Sequence, residues 1–385
     1  MKADRLTGGA STKTNPTKKN KIMKAFKIKK YLALGLTLAG AALTPNLHAT
    51  ATSVFIEGGS ASSSVVLKEA VALFGTGTIT TNGNVSSTVN VYRLQGSSSL
   101  AALSSFNPIT IDVNLANGAI AGLHNLIGSP DPTIDTNYAG APLSVTIVDS
   151  ATTPEAVGIS ASANGIDITR PTYVVPLIYV KNTNSVALST VTNLTSRQAV
   201  ALQTGTYPAT FFGSSSTNLI YFIGRNKNAA VRTEFDAVIN NTSDITTFTN
   251  AGNGVPVQDT SADPGLPSAG LLVTAVQGIT NSIGTIAVQN LTTGLAPLSY
   301  EGVPYSITNI INGSYALWGN EFYYTKASAL DAGKLAVLKQ LYTQVTNNVA
   351  LQNNSTYSNK FVPLPWLKVT RNNVDGGPIY PLPNY

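Results

Sequence analysis

Residues 53–74 read SVFIEGGSASSSVVLKEAVALF, and the order of residue types in this stretch sets the fold class. Ser53–Ile56 is β-branched and aromatic, so it predicts a short strand. Gly58-Gly59-Ser60-Ala61-Ser62-Ser63 follows, built only of small residues. Val65–Phe74 then has helical spacing of its apolar positions. A strand that feeds a helix through small residues leaves several backbone N–H groups aimed at one spot, where an anion is favoured. A helix start capped by a serine, with no ligand, accounts for the same residues.

The arrangement recurs. Ser87–Leu94 alternates as a strand around Val89-Asn90-Val91-Tyr92, Gly96-Ser97-Ser98-Ser99 forms a second small-residue loop, and Leu100–Phe106 is a short apolar segment with helical character. Ser144–Val148 predicts another strand, which ends at Asp149-Ser150. A carboxylate there stands at the carboxyl end of a strand, where open α/β sheets bind ligands; a helix cap is the other role open to it. Leu219–Gly224 predicts a strand that runs into Arg225, and Ala229–Ile239 has helical period. Tyr173–Val180 (YVVPLIYV) is apolar almost throughout, as in a strand buried on both faces. Its Pro176 predicts an edge, a bulge or a crossover.

Further helices are expected at Ser196–Leu202, Leu271–Ile279 and Ala327–Val345, the last being the most clearly amphipathic. Strands are expected at Gly284–Gln289 and Glu321–Tyr324, a strand or bend at Val303–Ile311, and a loop over 240–270. The proline- and aromatic-rich tail 361–385 shows no clear period.

Residues 1–30 hold ten of the 24 basic residues and one of the 18 acidic ones, Asp4. Tyr31–Thr44 is apolar, Pro45 interrupts it, and small residues follow at Ala49 and Ala51. That is the order of a signal peptide, and the apolar run is shorter than the roughly 20 residues that span a bilayer. Residues 1–49 are therefore expected to be a cleaved leader, with Met23 a second candidate start. What remains has 14 basic and 17 acidic residues, so the basic charge of the whole chain carries no argument for a nucleic-acid partner. The chain has no cysteine. Disulfides, thiolate metal sites, cysteine nucleophiles and a lipid-anchoring cysteine are excluded with it. Beyond the leader the single histidine is His124, expected in a loop as a solvated or capping group. No metal, no cofactor and no paired catalytic carboxylates are expected, so an enzyme is not expected either. Trp318 and the Tyr323-Tyr324 pair read as core aromatics, and Trp366 as docking the tail.

The order of these features resembles the periplasmic phosphate-binding proteins of ABC uptake systems, in a divergent form, across roughly residues 53–345. Gly58–Ser63 resembles that family's first anion loop and Gln95–Ser99 its second. Val148-Asp149-Ser150 stands where the family has a strand-end aspartate. Val174–Asn182 resembles the strand that crosses to the second lobe. Gly224-Arg225-Asn226 resembles the arginine segment of the third loop, and Gly313–Tyr324 the glycine–tyrosine stretch before a late strand.

The resemblance implies an α/β, two-lobed, type II periplasmic-binding-protein-like fold, with mixed sheets, flanking helices and a hinge. The lobes would be 53–172 with 301–360, and 173–300. It implies anion-binding roles for Ser62, Ser97, Asp149 and Arg225, with phosphate or a related small oxyanion as ligand, an ABC transporter membrane subunit as partner, and a periplasmic or secreted location. One departure is plain: Ala229-Ala230-Val231 stands where the family has Ser-Gly-Thr. Each hydrogen bond lost to a charged ligand costs about 1.5–3 kcal/mol, so two losses weaken binding by roughly two to four orders of magnitude. Arg232 adds charge nearby but does not replace hydroxyls. A surface or structural protein that keeps the fold without the anion is the alternative function.

Overall fold

The computed structural model describes residues 51–82, 91–116, 118–128, 145–347, 360–371 and 376–383. The expected leader and the start of the second predicted strand lie outside them. In chain order the elements are β1 (Thr52–Gly58), α1 (Ser63–Ala72), β2 (Ile79–Asn82), β3 (Val91–Gly96), β4 (Ile109–Asn114), α2 (Ala119–Leu126), β5 (Ile147–Ser150), α3 (Ala161–Asn164) and β6 (Ile166–Asn182). They continue with β7 (Asn193–Leu194), α4 (Ser196–Thr204), β8 (Tyr207–Pro208), β9 (Leu219–Ile223), α5 (Ala230–Ile239), β10 (Phe248–Asn250), β11 (Pro256–Gln258), α6 (Ala269–Gly278) and β12 (Ser282–Ala287). Last come β13 (Leu295–Pro297), β14 (Ser299–Tyr300), α7 (Ile307–Ile311), β15 (Trp318–Lys326), α8 (Ala332–Asn347), β16 (Val362–Pro363), β17 (Val369–Arg371) and β18 (Ile379–Pro381).

A mixed sheet runs β2-β3-β4-β1-β5-β15-β6-β12-β9-β8, with β13 and β16 also paired to β6. β1 is parallel to β4 and β5, whereas β15 is antiparallel to both β5 and β6. β6 joins two halves of this sheet. Its first part pairs with β15 up to Pro176↔Trp318, and from Leu177↔Ala287 onward it pairs with β12. Pro176 therefore sits where the strand changes partners, the crossover that its missing N–H requires. Tyr173–Val180 is buried throughout, as its continuous apolar run predicts. The two halves share this strand, and positions 172 and 173 are consecutive within it. The α/β, two-lobed architecture with a mixed sheet and flanking helices is thus present.

Local chemistry sets several boundaries. Thr195 and Gln198 form a reciprocal capping box at α4, and Asn240 ends α5 in the left-handed conformation. The segment predicted as strand or bend at Val303–Ile311 is instead a helix from Ile307, because the Ser306 hydroxyl caps the Asn309 N–H. The last long helix starts at Ala332, where Asp331 accepts from the Lys334 N–H at 2.8 Å. Within 240–270 the chain forms the β10–β11 hairpin. Gly284–Gln289 divides into strand up to Ala287 and a tight 3-10 turn over Val288–Asn290. Leu100–Phe106 holds only a single 3-10 turn, Ser104–Phe106.

The tail is structured despite its lack of period. β16 pairs with β6 at Val174 and Tyr173, and β17 pairs with β18. Arg371 from β17 is buried, stacks over the Trp318 ring at 4.2 Å, and donates to the carbonyls of Gly377 and Ala316. Trp318, Tyr323 and Tyr324 are core residues, as expected, while Trp366 is exposed. His124 is solvent-exposed but lies on α2 rather than in a loop. Among the described residues no helix is long and apolar enough to cross a membrane.

Candidate functional site

Parallel pairing of β4, β1 and β5 brings their carboxyl ends to one edge of the sheet. From that edge leave the Gly59–Ser62 loop into α1, Gly118 into α2, and Ala151. β9 and β12 of the other half are parallel to each other. β9 leads to Arg225 and α5, and β12 ends at the crossover of β6 and leads to Gln289. The first N–H groups of a helix lack the usual acceptor four residues back, although in α1 and α5 the Val65 and Arg232 N–H groups turn to the cap carbonyls of Ser62 and Ala229. The three N-termini gather around a cavity of about 20 Å³, with Ser60, Ala119, Ala151, Arg225, Ala230 and Glu321 among its walls. That is room for one or two water-sized groups, at the ~10–15 Å³ each requires.

Two glycines permit the close approaches. A Cβ on Gly58 would stand 2.5 Å from the Asp149 carbonyl oxygen, and the next residue donates its N–H to that carbonyl at 3.3 Å. Gly118 has φ +92°, and a Cβ there would lie 2.5 Å from the Asn228 carbonyl oxygen. The same carbonyl accepts the Ile120 N–H at 3.4 Å, so the start of α2 meets the approach to α5 directly. On the other side Gln289 bridges the halves. Its Oε1 accepts from the Ser64 hydroxyl at 2.7 Å, and its Nε2 donates to the Ser60 carbonyl.

Of the four residues assigned by resemblance, Ser62 and Asp149 lie next to each other behind the cavity wall, and Arg225 lines the cavity. Ser62 is fully buried, donates its hydroxyl to the Gly59 carbonyl at 2.9 Å, and lies within hydrogen-bonding reach of Asp149. Asp149 is fully buried, and the Tyr173 hydroxyl points at its carboxylate at 3.4 Å. Desolvation lifts its pKa to about 7, partly offset by hydrogen bonds from Ser62, Glu321 and Tyr173. Arg225 is 5% exposed, and its Nε and Nη2 donate to the carbonyls of Leu266 and Pro267 at 2.9 and 2.8 Å. Burial lowers its pKa only to about 10, so it stays cationic at neutral pH.

Ser97 does not join them. β3 is antiparallel to β4, so its carboxyl end lies at the opposite edge of the sheet. The neighbouring hydroxyls of Ser98 and Ser99 bond the carbonyls of Leu73 and Phe74, at the far end of α1. Ser97 itself is exposed.

Sequence reasoning missed a set of buried carboxyls. β15 places Tyr323 opposite Asp149 and Glu321 opposite Tyr173, so strand register alone assembles the cluster. Glu321 is 2% exposed, and its Oε2 has no hydrogen-bond partner among the described residues. Burial first, then the nearby Asp149, pushes its pKa well above the usual carboxylate range. Glu69 on α1 is also buried, accepts from the Tyr323 hydroxyl, and is raised mainly by desolvation. Glu234 on α5 completes the group. Asp149 stands behind the cavity wall, and Glu321 and Glu234 are the carboxyls that line it. The signal available in sequence was a lone glutamate inside the aromatic strand Trp318-Gly-Asn-Glu-Phe-Tyr-Tyr.

The departure at the third loop has a physical counterpart. Ala229 supplies no side-chain cap to α5, and Ala230 and Val231 are buried. Ala119, Ala151 and Ala230 pack against one another as a patch of methyl groups. Arg232 turns away: its Nε pairs with Asp236 at 3.3 Å and its Nη1 donates to the Pro264 carbonyl. No group of three or more metal-ligating side chains occurs among the described residues.

No protein-family model matches the chain, and no curated protein sequence does. Solved structures do. One, described as a phosphate ABC transporter substrate-binding protein with bound phosphate from Clostridium perfringens, superimposes with a TM-score of 0.52 at 14% identity, over 81% of this chain and 100% of that one. An ABC-type phosphate transport receptor from Vibrio cholerae aligns at 14% identity and a TM-score of 0.46, over 75% of this chain and 93% of that one. The first likeness shows that the chain has this two-lobed α/β fold.

Proposed function

We propose that the protein is an exported solute-binding protein that holds phosphate or a related small oxyanion between its two lobes. One observation carries the reading: three helix N-termini and the cationic Arg225 line one cavity, which must widen beyond its present room for one or two waters to admit the anion, in a fold shared with a phosphate-bound protein. Helix-terminal N–H groups supply partial positive charge without a mobile counter-charge. Arg225 supplies one full charge, held in place by two backbone carbonyls. Glu321, whose pKa burial pushes up, gives its one proton to Asp149 and adds less negative charge against the anion than an ionised carboxylate would. Asp149 accepts from Ser62, Glu321 and Tyr173 and so fixes that proton's direction.

The lobes, 53–172 with 301–360 and 173–300, would open and close about β6 and β15, and the closed form would be offered to an ABC-type membrane subunit. Residues 1–49 would direct the chain to the periplasm or the medium. The work is binding rather than catalysis. A structural descendant without a ligand is disfavoured by two polar atoms kept buried at the cavity and without partners among the described residues, Ser60 Oγ and Glu321 Oε2, because such atoms cost stability unless something completes them.

Calorimetric titration of the purified exported protein with phosphate tests the reading, with Arg225→Ala and Asp149→Asn as controls. Binding that Arg225→Ala abolishes and Asp149→Asn weakens supports it. Absence of heat at millimolar phosphate overturns the phosphate assignment.

A further inference from the structure

We propose that the ligand is a tetrahedral oxyanion with one apolar corner, a phosphonate-type anion bearing hydrogen or methyl where phosphate has its fourth oxygen. The inference rests on the oxyanion reading above and narrows it. The polar groups that the cavity presents are few: the Ser60 hydroxyl, the Arg225 guanidinium, the Glu321 and Glu234 carboxyls, and the helix-terminal amides. The rest of the lining is hydrocarbon. Ala119, Ala151 and Ala230 touch one another and form a continuous methyl patch, which Val175 and Leu177 of β6 extend.

The amide that follows the patch on α2, Ile120 N–H, is already given to the Asn228 carbonyl, and the Arg232 N–H on α5 to Ala229. An oxygen pressed against these methyls would be a buried, charged acceptor with no hydroxyl to satisfy it. A hydrogen or methyl in the same place would meet the wall by dispersion alone, at no desolvation cost. The remaining three oxygens suffice to use Arg225, Ser60 and the helix-terminal amides. Because Ser60 Oγ and Glu321 Oε2 have no partner among the described residues, the polar side of the cavity is built for a ligand while the alanine side is built against an oxygen.

The test titrates the exported protein separately with sodium phosphite, methylphosphonate and inorganic phosphate at pH 6.5, by calorimetry. At least one apolar-cornered anion should bind about 5–100 times more tightly than phosphate, the worth of one unsatisfied buried acceptor. Ala230→Ser places a hydroxyl in the methyl patch and should shift the ratio toward phosphate by about tenfold. Ala119→Ser serves in the same way if the first variant does not fold. Phosphate binding as tightly as, or more tightly than, both phosphonates overturns the inference and leaves the oxyanion reading standing. No heat from any of the three overturns both. A ratio that both serine variants leave unchanged overturns the assignment of the apolar corner to this wall.

Discussion

Glu321→Gln should make the protein more stable at pH 8 and should flatten the dependence of its stability on pH. Glu321 and Asp149 are both buried and adjacent, and both hold their protons above the ordinary carboxylate range, chiefly through desolvation. An acid whose folded pKa is raised binds more proton in the native state than in the unfolded chain. Its stabilising contribution is complete below the unfolded pKa and disappears as pH rises through the folded one. For Asp149 that window runs from 3.8 to about 7. At about 1.4 kcal/mol per pH unit for each proton, Asp149 alone removes on the order of 4 kcal/mol across it. Its complete burial means that solvent screening does not reduce the effect. Glutamine at 321 stays neutral at every pH and still donates to Asp149, so one proton leaves the balance and the slope falls by about 1.4 kcal/mol per pH unit. Urea unfolding at pH 5, 6, 7 and 8 at constant ionic strength measures this. Wild-type stability should decline from pH 5 to 8, and the variant should decline less and exceed wild type at pH 8. Wild-type stability that is flat or rises over this range would refute the reasoning, as would a variant that falls as steeply.

Gln289→Ala removes the bonds to Ser60 and Ser64 that bridge the two halves; it should cost about 1–2 kcal/mol and enlarge the radius of gyration in small-angle scattering. Gly118→Ala adds a Cβ 2.5 Å from the Asn228 carbonyl at a φ of +92°; it should cost of order 1–3 kcal/mol in urea unfolding and weaken any anion binding by displacing the start of α2. Arg371→Ala deprives Trp318 of its stacked cation and Glu234 of a nearby charge. A loss of about 3 kcal/mol or more is expected, visible as a lower melting temperature. A change under about 0.5 kcal/mol would show that the tail is not integral to the fold.

The first loop, the strand end at Asp149 and the arginine after β9 were legible because each is a local event: small residues, then a helical period, with a polar group at the junction. The crossover at Pro176 was legible for the same reason, since a proline inside an apolar strand admits few pairings. Ser97 was misplaced because its loop has the same local chemistry as the first one. What separates the two is the direction of β3, which no residue within Gly96–Ser99 encodes. The structured tail was missed because its strands are two or three residues long, too short to display a period.

The amino-acid sequence by itself determined several of the longer strands, such as β1, β6, β9 and β15, which loops are small enough to cradle an anion, and that hydroxyls are missing before α5. Those properties follow from side-chain period and steric freedom within a few residues. Only the tertiary structure decided which loops share an edge, that Asp149 stands behind Glu321 at the cavity, and that three alanines from separate segments form one apolar wall. Strand direction and burial arise from pairings between residues far apart in the chain, from Gly58 to Asp149 and from Asp149 to Tyr323. The chemistry of a carboxyl changes with those neighbours far more than with the residues beside it in sequence.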